Sequence, residues 1–122
     1  MRKFTPEEII NRHIECDKII ESVSMTTNYQ ANNRAAKKLE KLFEILKDDT
    51  ELAKRVYEVL LEHKSAITLS HAASACLRIG IFIPKSEKIL EELSKRTDIG
   101  ITRLNCETIL KTWRGEIPYK TL

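Results

Sequence analysis

A chain of 122 residues, 42% hydrophobic and 32% charged, has the size and composition of one folded domain over residues 1–122, neither disordered nor in need of disulfide staples. No run approaches the ~18 consecutive apolar residues of a membrane span. "MRKFTPEEII" lacks the apolar core of a secretory leader, so a cytoplasmic protein without a membrane partner is expected. The net charge of +3 is too small for a dedicated nucleic-acid binder, and only 3 Gly and 3 Pro favour helices.

The first helix opens at "FTPEEI". Thr5 reads as N-cap, Pro6 as the first helical residue and Glu8 as the reciprocal partner of a capping box, with Phe4 and Ile9 as a hydrophobic staple. Ile9, Ile10, His13, Ile14 and Ile20 then mark its inner side. "SVSMTTNY" reads as a loop. Helix 2 carries Ala31, Ala35, Leu39, Leu42, Phe43 and Leu46 at the helical period. "DDT" ends it, and Thr50 is placed as the cap of helix 3. Helix 3 buries Ala53, Val56, Tyr57, Leu60 and Leu61 and stops near His63, where a donor imidazole suits the helix dipole.

Helix 4, "TLSHAASACLRIG", has Arg78 as its only charged side chain, and Ala72, Ala73 and Ala75 permit close approach of neighbours. It is expected to be packed on most sides and to end at Gly80. "IFIP" turns the chain, and Pro84 opens helix 5, with Ile89, Leu90 and Leu93 inward. Helix 6 is expected to bury Cys106, Ile109, Leu110 and Trp113, the last covering on the order of 200 Å². Gly115 stops it, and "EIPYKTL" is a tail. The chain thus reads as all-α, about six helices in antiparallel pairs. Three stacked pairs make a small HEAT-like α-α superhelix. A closed bundle is the alternative.

Little in this chain has the pattern of catalysis. His71 and Ser74 are helical neighbours, but no carboxylate lies between 63 and 86 to orient the imidazole. The acidic pairs Glu7/Glu8, Asp48/Asp49 and Glu91/Glu92 suit solvation and helix dipoles. His13, His63 and His71 share no ligand spacing. Cys16, Cys76 and Cys106 form no CxxC and read as small buried thiols. No Gly-rich loop opens a helix to cradle phosphate. Neither an enzyme nor a bound cofactor or metal is expected.

Binding is the better expectation. In a stack of helix pairs, helices 2, 4 and 6 line one surface. Their polar stripes contain Arg34, Lys37, Lys38 and Lys41, then His71, Ser74 and Arg78, then Arg103, Glu107, Lys111 and Arg114. Arg34, Lys41, His71, Arg78, Lys111 and Arg114 are the candidate partner-binding residues. They suit an acidic protein or, as the alternative, a nucleic-acid backbone. Scattered Tyr29, Tyr57 and Tyr119 offer no stacking platform, which favours protein.

From helix 2 to the tail the chain resembles a bacterial family known as domain of unknown function 2019. The resemblance lies in "ANNRAAKKLEKLFEIL", "VYEVLLEH", "HAASACLRIG", "IPKSEKILEEL" and above all "CETILKTWRG", since the family tends to close on Trp–Arg/Lys–x–Gly. Where that family often has Val-Arg, this chain has "AITLSH". The resemblance implies a HEAT-like fold, no known catalysis, and a role as an immunity protein that binds and blocks a toxin. An inhibitor of a basic nuclease would be acidic. The charge here therefore implies a less basic partner, or contact through the acidic helix 1.

Overall fold

The computed structural model describes residues 4–23 and 29–115. Among these residues the chain is all-helical, with no strand. The helices are α1 (Pro6–Val23), α2 (Tyr29–Lys47), α3 (Thr50–Leu60), α4 (Ala66–Ile79), α5 (Ile83–Ser94) and α6 (Ile101–Trp113). They fall into two compact units, Met1–Glu62 and His63–Leu122. In the first, α1 packs along α2 and α3 touches both. In the second, α5 packs against α4 and α6, which also touch each other. Most of the predicted loop before α2, and the whole "EIPYKTL" tail, lie outside the described residues.

The start of α1 follows its sequence closely. The Glu8 amide donates to Thr5 Oγ1 at 3.2 Å, and the Thr5 amide donates to Glu8 Oε1 at 3.4 Å. This reciprocal pair satisfies two of the amides that a helix start leaves without intrahelical acceptors. Ile9 is fully buried and Phe4 half-buried. At α3 the cap is Asp49, whose Oδ1 accepts from the Leu52 amide at 3.1 Å, and Thr50 is already helical. Asp outranks Thr as an N-cap, which accounts for the one-residue shift. Ser65 caps α4 through the Thr68 amide at 3.4 Å. His63 does not donate to a helix end. Its Nδ1 accepts from the Ser65 amide at 3.1 Å, bracing the turn into α4.

Gly80 and Gly115 end α4 and α6 as expected, at φ 92° and 80°. Space is not the reason for glycine, because a Cβ at either position would meet nothing within 4 Å. The left-handed backbone is the reason, since it brings a Cβ against the chain's own carbonyl. Phe82 also adopts this conformation, at φ 47°, just before α5.

The first unit's core is Ile9 and Cys16 of α1, Ala35, Leu42, Phe43 and Leu46 of α2, and Ala53, Val56, Tyr57 and Leu60 of α3. The α1 face differs in part from expectation. Ile9 and His13 are buried as expected, but Ile10, Ile14 and Ile20 are only half-buried, and Asp17 is buried. Positions 9, 13, 16 and 17 follow the i, i+4, i+7, i+8 rule of one helix face, so geometry outweighs the polarity of two of them.

In the second unit, α4 buries Thr68, Ser70, Ala72, Ala73, Ala75, Cys76 and Leu77, and Arg78 is its only exposed side chain. Ser86, Leu90 and Leu93 of α5 and Cys106, Leu110 and Thr112 of α6 are buried as well. Trp113 is half-buried rather than interior, and so is Ile109. Trp113 is the last residue of α6, where the core ends, and an indole is seldom covered on every side.

Candidate functional site

The first unit carries an open groove of about 800 Å³ between α1 and α2. Its walls have the same sequence spacing. Arg12, Glu15, Cys16 and Ile19 stand at i, i+3, i+4 and i+7 on α1. Lys38, Lys41, Leu42 and Ile45 stand at the same intervals on α2. Each set therefore lies on one helix face, with the charged members at the rim and the apolar ones at the floor. Phe4 and Lys18 complete the lining, and the Arg12 guanidinium lies over the Phe4 ring at 4.6 Å. Cys16 and Leu42 are buried beneath the floor, while Ile19 and Ile45 keep 38% and 36% of their surface exposed. Two large aliphatic side chains thus face solvent inside a cationic frame.

The rim charges are not neutralised locally. Arg12, Lys18, Lys38 and Lys41 face one carboxylate in the lining, Glu15. Among the described residues none of the three lysines is held in an ion pair. Burial pushes the Cys16 thiol up from its ordinary value, and the Lys38 charge acts against that shift.

Of the six residues singled out from sequence, Lys41 lines this groove. Arg34 is exposed on α2 and outside the lining. The other four belong to the second unit. Lys111 is exposed and paired with Glu107 at 3.2 Å. The Arg114 side chain turns back onto α5, bonding Glu91 and lying 3.9 Å from Glu87. His71 is half-buried and Arg78 exposed, and both are engaged in interactions of their own. Lys111 and Arg114 therefore spend their charge within the unit, unlike Lys38 and Lys41.

Arg12 and Lys18 belong to the groove although helix 1 as a whole is acidic. A running count of charge along α1 hides them. A helical projection that separates faces brings Arg12 beside Cys16 and Ile19.

The other polar arrangement of note is inside α1. His13 Nδ1 lies 2.8 Å from Asp17 Oδ2, with side-chain exposures of 6% and 1%. An imidazole held by a carboxylate is two-thirds of a hydrolase triad. Here the pair is too deeply covered for a substrate to reach it. The nearby thiol, Cys16, is shifted away from the thiolate that a nucleophile requires. The other thiols are more strongly suppressed. Burial pushes Cys76 up to about 12 and Cys106 up to about 11. The Ser86 hydroxyl acts on Cys76 in the opposite direction. No group of three or more His, Cys, Asp or Glu side chains is placed to hold a metal among the described residues. No helix among them is long and apolar enough to cross a membrane.

The groove thus sets an apolar floor beside a basic rim, an arrangement suited to binding. Compared with protein-family models, curated proteins and solved structures, the chain matches none.

Proposed function

We propose that this chain is a non-enzymatic protein-interaction module that docks an acidic protein partner through the α1–α2 groove. The observation that carries this is the pairing of exposed Ile19 and Ile45 with lysines that are held in no ion pair among the described residues. A nucleic-acid backbone would use the lysines but would leave the aliphatic floor wet, so a protein surface is the better complement. The resemblance drawn from "CETILKTWRG" and "HAASACLRIG" extends the proposal. The chain then acts as a cytoplasmic immunity protein of a HEAT-like family, blocking a toxin by occlusion.

The test is affinity capture from producing cells with the wild-type chain and the Lys38→Glu/Lys41→Glu variant in parallel, followed by reconstitution with purified partner. A partner bound by the wild type and lost with the variant supports the proposal. Equal binding to both would remove the groove from the interface. Retention of DNA in place of protein, abolished by the same variant, would favour the nucleic-acid alternative.

A further inference from the structure

We infer that the occupant of the α1–α2 groove is an amphipathic partner helix whose apolar stripe is flanked by carboxylates. The inference rests on the proposed function and specifies what the partner presents. On the α2 wall Lys38 and Lys41 precede Leu42 and Ile45, and on the α1 wall Arg12, Glu15 and Lys18 accompany Cys16 and Ile19. The lining positions on each wall cover eight residues, so at the helical rise the groove runs about 10 Å. That is about two turns of a docked helix, enough for anchors at i, i+3 or i+4, and i+7.

Charge selects the flanks. Lys38 and Lys41 stand on the α2 wall, and Arg12 and Lys18 on the α1 wall. A helix lying between them meets positive charge on both sides of its stripe, which Asp or Glu complements and Lys repels. An anionic alkyl chain is a poorer complement. It has one charged end for cations spread over two walls, and its tail is best covered in an enclosed cavity. Ile19 and Ile45, more than a third exposed, show that this floor is open.

The probe is a labelled synthetic peptide of about four helical turns, with a Leu stripe flanked by Glu, read by fluorescence anisotropy. Its controls are a scramble of the same composition and a version with Lys in place of Glu. The Glu-flanked peptide is expected to bind, with both controls about tenfold weaker or worse. Lys38→Glu/Lys41→Glu and, separately, Ile45→Asp should each reduce binding about tenfold or more. All three positions are exposed, and circular dichroism verifies that the variants stay folded.

Equal binding of the scramble, or no loss in either variant, would overturn the inference. So would binding of dodecanoate, but not the peptide, in a way that needs Lys38 and Lys41. Dimerisation of the chain that the same reversals abolish would assign the groove to a second copy and likewise overturn it. If a captured partner depends on Lys38 and Lys41 while no acidic helix binds, the inference fails and the proposed function stands. If neither depends on the groove, both fail.

Discussion

Asp17 is the residue whose burial changes most about α1. It lies within hydrogen-bonding distance of the His13 ring, with 1% of its side chain exposed. Asp17→Leu removes that acceptor from a buried imidazole and is expected to cost about 1–3 kcal/mol in urea unfolding. The double variant His13→Leu/Asp17→Leu should cost less than Asp17→Leu alone, because no polar group is then left without this partner. A double variant costing as much as the sum of the singles would show the pair to be uncoupled. The cysteines give a second residue-scale expectation. Burial raises Cys76 to about 12 and Cys106 to about 11, from an ordinary 9.0. Between those values the unfolded chain loses thiol protons that the folded chain keeps. Their contribution to stability is complete below pH 9 and is lost as pH rises through 11 to 12. Stability measured across that window should fall. Alkylation by iodoacetamide at pH 8 should be slow until denaturant is added.

At the scale of elements, the helix ends were the most legible part of the sequence. The Thr5–Glu8 box, the Gly80 and Gly115 stops, and the inward faces of α2 and α3 follow from local rules that need no tertiary knowledge. Thr5→Ala should lower stability by about 1 kcal/mol. The α1 face was less legible, because hydrophobicity favoured Ile10 and Ile14 while packing selects Asp17. A buried polar pair carries no hydrophobic signal, and only the 13-to-17 spacing marks it. The C-terminal helix shows the same limit. Arg114 ties α6 to Glu91 and Glu87 of α5, a contact between helices that no local pattern announces. Its surface position makes the pair worth little, and Arg114→Ala should cost no more than about 1 kcal/mol. Trp113→Ala should cost less than the ~3–5 kcal/mol of a fully buried aromatic, since the indole is only partly covered.

At the scale of the molecule, the modest net charge of +3 hides how charge is distributed. The first unit has slightly more acidic than basic side chains, and the second is distinctly basic. Yet it is the first unit that gathers Arg12, Lys18, Lys38 and Lys41 around an exposed aliphatic floor. The basic stripe of α2 is legible in the sequence, but its partners on α1 are not, because the groove exists only when two helices are brought together. The lysines at its rim are exposed, so attraction should be strongly screened. Raising salt from about 0.1 M to 1 M shortens the Debye length from roughly 10 Å to 3 Å. Affinity should fall over that range without vanishing, the aliphatic floor supplying the remainder. The most direct test of the groove is an amide chemical-shift titration of the labelled chain with the Glu-flanked helix. Shifts concentrated along residues 12–19 and 38–45 are expected. Shifts confined to α4–α6, with α1 and α2 unmoved, would contradict the account.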